Sequence, residues 1–526
     1  MPDRSTSRRP SAALCGLLAA LVALAVAELV AGIVGGGRSP VIGVGDFVVD
    51  RVPGWLKDLA ISWFGTNDKT ALLVGILVLL AVIACGIGLL AVRNLRAGLA
   101  AIALFGVVGV ITGLRDEQST TLEAVLPSVV GALAGMAVLA FVLRLPGSPA
   151  VEAAGARGRS SGAPAPATSR RAFLGMTAAL AVTAVSVGAA GRWLQSRASA
   201  VASRAAVVLP RALRPLAAPP ASASLAVDGL SPLLTPNRDF YRIDTALVVP
   251  QVQAEDWTLK VRGMVDNELE LTFAELLDRD LVEADITLTC VSNQIGQDLV
   301  GNARWLGFPL ATLLEEAGVQ PQATQIVPRS VDGYTGGFPT SIALDGRQAL
   351  VAVGMNGEPL PLDHGFPARL VVPGLYGYVA SVKWLKEIEL TTFEGFDSYW
   401  VPRGYAKEAP IKTMSRIDTP RGLSRVQPGR VPIAGVAWSQ NNGGITRVEV
   451  QVDDEPWREA TLASALAETT WRQWVLEWDA TPGLHQLRVR ATDATGETQT
   501  EERVSPLPDG ATGWHSVSVT VVSSSA

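Results

Sequence analysis

The sequence predicts three structural regions: an N-terminal α-helical membrane domain, a central α+β domain and a C-terminal all-β immunoglobulin-like sandwich. Long apolar runs with few charges within residues 1–145 predict the membrane domain. Mixed strand and short-helix patterns without a regular βαβ alternation predict an α+β domain for residues 225–398. Short alternating strands separated by turn residues predict the sandwich for residues 399–526.

Four candidate membrane spans lie in the N-terminal region, at residues 11–34, 71–92, 97–114 and 123–143. Each is close to the roughly 20 apolar residues that cross the hydrocarbon core of a bilayer. Arginines precede the first span, separate the second from the third and follow the fourth, whereas the other two loops carry mixed charge. Because short cytoplasmic loops are enriched in Lys and Arg, these three arginine-bearing segments are expected on the cytoplasmic side.

Residues 146–192 combine a linker rich in Ala, Gly, Pro and Ser with a further apolar stretch. Arg170 and Arg171 stand directly before that stretch, which is interpreted as a twin-arginine export signal placed inside the chain. The alternative is an ordinary fifth span with cytoplasmic arginines. Both interpretations predict a multi-pass cell-membrane protein whose later regions, beginning with a spacer at residues 193–224, are extracytoplasmic.

In the α+β region, residues 257–265 alternate like a strand, and Thr272 with Glu275 predicts the start of a helix. A strand over 286–291 delivers Cys290, and residues 305–314 are predicted to turn into another helix. In the C-terminal region, strands are predicted at 431–438, 446–452, 471–478, 485–492 and 514–522.

Cys290 is the lone cysteine of the C-terminal two-thirds of the chain and lies within the segment TLTCVSN. Cys15 and Cys85 lie in predicted membrane spans, so no disulfide with a domain partner is expected. A thiolate is an anionic, polarizable ligand for a soft metal, which makes Cys290 a candidate metal ligand. The alternative is a buried free thiol that packs as a small apolar side chain.

Two segments favour the interpretation of Cys290 as a metal ligand. Residues 287–314, TLTCVSNQIGQDLVGNARWLGFPLATLL, resemble the cofactor-binding core of the sulfite oxidase family of molybdenum enzymes. Residues 355–390, MNGEPLPLDHGFPARLVVPGLYGYVASVKWLKEIEL, resemble the pterin-phosphate-binding region of that family. The resemblance covers residues from about 225 to about 520. It implies a sulfite-oxidase-like molybdopterin-binding domain and an oxidoreductase that uses a molybdenum–molybdopterin cofactor.

The resemblance also implies roles for single residues. Cys290 would bind the metal, and Arg242 and Tyr334 would join it as catalytic residues. The residues expected to hold the cofactor are Cys290, Asn293, Asp244, His364, Arg369, Ser381 and Lys383.

Several positions depart from sulfite oxidase itself. Gln294 and Ile295 follow Asn293 where the family has an Asn-Arg-Arg-like sequence, and Asp244 replaces a histidine. Phe338 stands where the family has an active-site tyrosine, with Tyr334 nearby as a substitute, and the arginine before the Ser-Val-Lys-Trp phrase is absent. Each charged hydrogen bond contributes roughly 1.5–3 kcal/mol, so these losses should weaken binding of a doubly charged oxyanion. The sequence therefore disfavours sulfite as the substrate.

Electron partners are restricted by composition. The three histidines lie outside the predicted spans, and the chain has neither a CxxCH motif nor a cysteine set for a cluster. We therefore expect no haem and no iron–sulfur cluster, and electron exchange with a separate electron-transfer protein or a quinone. The net charge of −5 disfavours a nucleic-acid partner.

The leading interpretation is a membrane-anchored, extracytoplasmic molybdopterin-dependent oxidoreductase. It would carry out two-electron oxygen-atom transfer on a small sulfur or other oxo compound. A reductase of sulfoxides, including oxidised methionine, is one alternative, and a catalytically silent membrane scaffold is another. The C-terminal sandwich resembles the dimerisation domain of the family, which implies a homodimer, although an adhesion-like module has the same pattern.

Overall fold

The computed structural model describes residues 8–34, 42–45, 68–115, 120–145, 148, 167–197 and 200–522. The chain forms two compact units. The first comprises Met1–Ser199 with Ala246–Gln251, and the second comprises Ala200–Thr245 with Val252–Ala526. Of the predicted linker over residues 146–169, the structure describes only Ser148 and the last three residues, which belong to a helix that begins at Ala167.

The first unit contains five long apolar helices. They are α1 (Arg8–Val34), α2 (Asp68–Arg93), α3 (Leu95–Gly113), α4 (Thr121–Arg144) and α5 (Ala167–Arg197). All five are long and apolar enough to cross a membrane. The four predicted spans coincide with the first four helices, and the apolar stretch after Arg171 lies on the fifth. The unit is therefore compatible with a multi-pass membrane protein.

Small residues allow close contact between these helices. At Gly88 of α2, an added Cβ atom would lie only 2.1 Å from the backbone oxygen of Ala12 in α1. At Gly131 of α4, it would lie 2.6 Å from the backbone oxygen of Ala23. Glycine and alanine are favoured at such contacts because membrane helices associate by close backbone packing.

The second unit begins with the short helix α6 (Ala200–Ala206) and an irregular segment that packs along its surface. The Arg204 guanidinium donates to the carbonyl oxygens of Leu360 and Pro359 at 2.8 and 2.7 Å. The backbone N–H of Leu213 donates to the carbonyl oxygen of Leu281 at 2.7 Å. Residues 200–224, predicted as part of a spacer, thus have defined partners within the second unit.

Two mixed or antiparallel sheets form the central part of the second unit. One has the strand order β2-β1-β10-β5-β6, with β1 and β10 parallel, and the other has the order β3-β4-β7-β8, with β9 paired to β7. The strands are β1 (Thr258–Gly263), β2 (Leu269–Thr272), β3 (Val282–Thr289), β4 (Val300–Pro309), β5 (Gln325–Ser330), β6 (Phe338–Pro339), β7 (Leu350–Met355), β8 (Glu358–Pro359), β9 (Arg369–Val371) and β10 (Leu385–Thr391).

Four short helices connect these strands: α7 (Phe273–Leu277), α8 (Leu310–Ala317), α9 (Thr340–Ala343) and α10 (Gly377–Ala380). Thr272 and Glu275 form the predicted capping box at the start of α7. The helix expected over 305–314 begins only at Leu310, because residues up to Pro309 pair with β3 and β7 as part of β4. Strands and helices are interspersed without regular crossovers, as the α+β prediction requires.

The C-terminal part of the second unit has two sheets, with the orders β11-β13-β17-β16 and β12-β19-β18-β14-β15. The strands are β11 (Met414–Thr419), β12 (Arg425–Val426), β13 (Gly429–Trp438), β14 (Ile445–Val452), β15 (Arg458–Glu459), β16 (Thr461–Leu462), β17 (Arg472–Ala480), β18 (Gly483–Asp493) and β19 (His515–Val521). Each of the five predicted strands falls on one of them. Val448, Val450 and Trp474 contribute to one apolar core shared by both sheets. The immunoglobulin-like class of this region stays a prediction.

Candidate active site

Cys290 lines a cleft in the second unit. It follows β3 directly, and its backbone N–H donates to the carbonyl oxygen of Leu299 at 2.9 Å, just before β4 begins. The residue is buried, with 7% exposure, and contributes to the lining of the cleft. The paired strands therefore hold the thiol at the base of a loop.

The loop between Cys290 and Leu299 is fixed from two sides. The Asn293 side-chain oxygen accepts a hydrogen bond from the backbone N–H of Leu299 at 2.9 Å. From the C-terminal sheets, Arg416 donates to the carbonyl oxygen of Gln297 at 2.8 Å. His515 lies against Gly296, where a Cβ atom would lie 2.3 Å from its ring nitrogen. The C-terminal part of the unit thus helps to position the loop that carries Cys290.

Two buried cations line the same cleft. Arg369, on β9, is 4% exposed and donates to the carbonyl oxygens of His364 and Ser381 at 3.1 and 3.3 Å. Lys383 is 9% exposed, and its ammonium group donates to the Asp244 carboxylate and to the carbonyl oxygen of Asp363, both at 3.0 Å. Burial of two cations beside one buried carboxylate leaves the cluster short of negative charge.

The pKa values of these groups reflect that shortage. Burial lowers the pKa of Arg369 to about 10. Burial also lowers the pKa of Lys383 to about 8, even though Asp244 opposes the change. Burial, together with Lys383 and Arg369, lowers the pKa of His364 to about 4. Each group would be more stable with an anion nearby.

Several buried polar atoms at this place have no hydrogen-bond partner among the described residues: Arg369 Nε, Ser381 Oγ and His364 Nδ1. Unpaired buried polar groups are rare in folded proteins and cost about 1–3 kcal/mol each. Guanidinium, ammonium and hydroxyl donors are suited to phosphate oxygens. The residues present therefore fit the phosphate of an anionic cofactor such as molybdopterin.

Cys290 suits a metal that brings further ligands with it. Within the described ranges, no group of three or more His, Cys, Asp or Glu side chains could enclose a metal ion. Burial raises the pKa of the Cys290 thiol, although hydrogen bonds with Ser292 oppose this. A bound metal displaces the thiol proton and so stabilises the thiolate. The pterin dithiolene would supply the additional sulfurs.

The cleft contains most of the expected site residues but not all of them. Cys290, Asp244, Tyr334, Arg369, Ser381 and Lys383 contribute to its lining. Asn293, Arg242 and His364 are absent from the lining that the described residues form. Asn293 closes the Cys290 loop, Arg242 pairs with Asp244 at 3.0 Å, and the His364 ring lies 3.0 Å from the carbonyl oxygen of Asn237. Their assignment to catalysis or cofactor binding stays a prediction, and these contacts favour supporting roles.

Ile295 and Phe338, which motivated the argument against sulfite, do not contribute to the lining that the structure describes. Both are buried in the apolar core. The loop places Ile295 in the core and β6 pairs Phe338 with β5, so a role for these two positions in substrate choice stays a prediction.

Sequence reasoning missed several residues that line the cleft, among them Tyr241, Asp332, Tyr378, Trp384 and Trp400. Tyr241 could have been found from its position directly before Arg242, and Tyr378 and Trp384 from the segment that resembles the pterin-binding region. Trp400 follows β10 and reaches the cleft only through the tertiary fold, so no local pattern indicated it.

The His364 pKa gives a testable dependence of stability on pH. Between pH 6.5 and about 4, the unfolded chain binds a proton at His364 that the folded, cofactor-free protein does not. The free energy of unfolding should therefore fall as pH decreases through this window, by at most about 3 kcal/mol from this group. His364→Gln should flatten the dependence in thermal unfolding of cofactor-free protein.

His485→Gln is the contrasting control. Burial lowers the pKa of His485, but its hydrogen bond with Asp453 raises the pKa above the ordinary value overall. Removing this histidine should therefore weaken the protein chiefly at low pH, opposite to the effect at His364. An unchanged slope in His364→Gln would show that the buried imidazole does not titrate as described.

Comparison with known proteins agrees with this geometry. Residues 246–400 match the family described as the oxidoreductase molybdopterin binding domain. Mitochondrial sulfite oxidase of Drosophila melanogaster is 33% identical over 304 residues, covering 49% of this chain and 52% of the relative. Human mitochondrial sulfite oxidase is 28% identical, covering 55% and 62%. NADH nitrate reductase of Solanum lycopersicum is 30% identical, covering 49% and 35%.

These matches span less than two thirds of each relative. Among solved structures, the sulfane dehydrogenase SoxCD from Paracoccus pantotrophus has a TM-score of 0.46 and 27% identity, covering 52% of this chain and 75% of that one. The matched domain and the curated relatives show that residues 246–400 resemble a molybdopterin-binding oxidoreductase domain and that about half of the chain is similar to sulfite oxidases.

Proposed function

We propose that this chain is a membrane-anchored molybdopterin-dependent enzyme that carries out two-electron oxygen-atom transfer on a small sulfur or other oxo compound. The observation that supports it most directly is one buried cleft that contains Cys290, Arg369 and Lys383. A thiol for a metal and two buried cations for a phosphate thus lie at the same place. A catalytically silent scaffold would have no need for these buried, incompletely paired charges.

Each residue would have a separate task. Cys290 would hold the metal, and Arg369, Ser381 and Lys383 would hold the phosphate of the pterin. Asp244 keeps Lys383 in place through their 3.0 Å ion pair. When bound, the cofactor supplies the two-electron redox chemistry that no side chain of the chain provides.

Tyr334 lies in the cleft as a neutral phenol. Its hydroxyl donates to the carbonyl oxygen of Tyr378 at 2.6 Å. Burial, followed by the nearby Cys290, holds the pKa of Tyr334 well above its ordinary value. The same two causes, burial first, raise the pKa of Tyr241, with Arg369 opposing. Near neutral pH both side chains therefore orient ligands as uncharged groups and do not act as bases.

The arrangement in the membrane is also part of the proposal. Five apolar helices support multi-pass anchoring, and the arginine distribution supports an extracytoplasmic second unit. Electrons would pass to or from a quinone or a separate electron-transfer protein. A homodimer through the immunoglobulin-like C-terminal region is proposed on the family resemblance alone, and light scattering of the purified protein tests it.

The paired arginines before the fifth apolar stretch give a prediction about export. Replacing both Arg170 and Arg171 with lysine keeps the charge but removes the twin-arginine address. We expect the folded second unit to stay on the cytoplasmic side, where protease added to intact spheroplasts does not reach it. Arg192→Lys with Arg197→Lys, toward the other end of α5, is the matched control. If protease cleaves the double lysine variant as much as wild type, α5 is an ordinary fifth membrane span and the twin-arginine interpretation fails.

Metal and pterin analysis of the purified chain, coupled to a turnover screen, tests the proposed function. We expect molybdenum together with pterin, and turnover of at least one oxo substrate with an artificial electron carrier. A folded protein, isolated from cells that make the cofactor but containing no molybdenum, would overturn the proposal.

A further inference from the structure

Five aromatic side chains form a closed belt beside the cleft. The ring centroids are 5.5 Å apart between Tyr334 and Tyr399, and 5.2 Å apart between Tyr399 and Trp400. They are 5.2 Å apart between Trp400 and Tyr405, and 5.5 Å apart between Tyr405 and Tyr378. The hydrogen bond from the Tyr334 hydroxyl to the Tyr378 carbonyl oxygen closes the belt. Tyr334, Tyr378 and Trp400 line the cleft itself.

Polar contacts hold the belt in place. The Tyr378 hydroxyl donates to the carbonyl oxygen of Ala406 at 2.6 Å. The backbone N–H of Tyr399 donates to the Thr335 hydroxyl at 3.0 Å. Because a phenol has one hydrogen to donate, neither Tyr334 nor Tyr378 can donate to an oxyanion without losing its present bond. Tyr334 and Tyr378 are therefore expected to contact a ligand through the faces of their rings.

Charge in the cleft also disfavours an inorganic oxyanion. Asp332 also lines the cleft, and its carboxylate accepts a hydrogen bond from the backbone N–H of Tyr334. Of the cleft's cations, Lys383 is paired with Asp244, and both Lys383 and Arg369 are assigned to the cofactor phosphate by the proposed function. Aromatic faces carry partial negative charge and attract apolar or cationic groups. A dianion would therefore meet mainly ring faces in the space that remains.

We propose that this aromatic belt selects a neutral organic oxo compound, whose alkyl or aryl groups pack against Trp400, Tyr334 and Tyr378, over inorganic oxyanions. The inference rests on the proposed function and specifies its substrate class. For an organic sulfoxide the balanced reaction consumes two protons and two electrons per sulfoxide and gives one thioether and one water molecule. The sulfur–oxygen bond breaks, the oxygen leaves as water, and a quinol or a reduced electron-transfer protein supplies the electrons.

The test uses full-length, molybdenum-loaded enzyme and two reactions. Reduction of methyl phenyl sulfoxide is followed with reduced viologen, and oxidation of sulfite with ferricyanide. We expect wild type to have a higher kcat/KM for the aryl sulfoxide than for sulfite. Trp400→Leu should lower kcat/KM for the aryl sulfoxide about tenfold, mainly through KM, because stacking on the indole is lost. Its kcat/KM for sulfite should fall by a smaller factor.

A binding measurement makes the test independent of turnover. Calorimetry with methyl phenyl sulfide, the reduced product, should give a Kd about tenfold weaker for Trp400→Leu than for wild type. Trp457→Leu, which removes an indole from the C-terminal sheets, is the matched control and should bind like wild type. Circular dichroism checks that both variants fold.

The outcomes separate the two proposals. Absence of molybdenum would overturn the proposed function. Molybdenum-loaded enzyme that prefers sulfite, or that binds no methyl phenyl sulfide, would overturn only the substrate class. Equal losses toward both substrates in Trp400→Leu would show that the belt supports the fold and does not select the substrate.

Discussion

Cys290→Ser should abolish turnover while the second unit keeps its fold. A serine hydroxyl stays protonated under conditions in which a metal-bound thiol ionises, so it is a poor replacement for a soft thiolate ligand. Loss of groups that only support a metal ligand already costs about 10–100-fold, so loss of the ligand itself should cost more. The hydrogen bond from the backbone of residue 290 to Leu299 does not depend on the side chain. Steady-state kinetics and thermal unfolding measure the two effects.

Cys85→Ser is the matched control for that experiment. Cys85 lies on α2, within the first unit, and its loss should leave kcat and KM at wild-type values. Full activity in Cys290→Ser would show that this thiol is not the metal ligand on which turnover depends.

Arg369→Gln should strip the protein of cofactor without weakening the empty fold. The guanidinium is buried, and its lowered pKa shows that the charged form is costly there while no anion is bound. Charged hydrogen bonds contribute about 1.5–3 kcal/mol each, so loss of one or two to a phosphate should reduce cofactor affinity by about 10²-fold. The pterin content of purified protein measures this loss.

Whereas the cofactor affinity of Arg369→Gln should fall, the stability of the cofactor-free variant should not. Removing an incompletely paired buried charge should leave the thermal unfolding temperature of Arg369→Gln equal to wild type or higher. Arg238→Gln, at an exposed arginine, is the control and should change neither pterin content nor stability. Normal pterin content in Arg369→Gln would mean that the phosphate binds elsewhere.

Local patterns predicted much of this fold. The apolar runs predicted the first four helices because a membrane span needs a fixed number of apolar residues, which composition alone reveals. Alternation in residues 446–452 predicted β14 and its buried valines for a similar reason, since side chains on a strand alternate between faces. The start of the helix at residues 305–314 was placed too early because pairing of β4 with β3 and β7 is a tertiary effect.

The residues of the candidate site also divide into those that local sequence patterns indicate and those that only the tertiary fold brings together. Cys290, Arg369, Ser381 and Lys383 lie in contiguous segments whose order of residue types carries the family resemblance, and the cleft brings them together. Trp400 and the contact of Arg416 with Gln297 join residues that are far apart in sequence, so no local motif indicates them. Position in a motif does not define which way a loop side chain faces, and the structure places Ile295 in the apolar core.

X-ray absorption spectroscopy at the molybdenum edge tests the central claim, that Cys290 binds a molybdopterin-held metal in this cleft. Wild-type protein should contain molybdenum with one more sulfur neighbour than Cys290→Ser, because the thiolate adds to the sulfurs of the pterin dithiolene. The number of sulfur neighbours in Cys85→Ser should equal wild type. An identical sulfur number in wild type and Cys290→Ser would contradict the account.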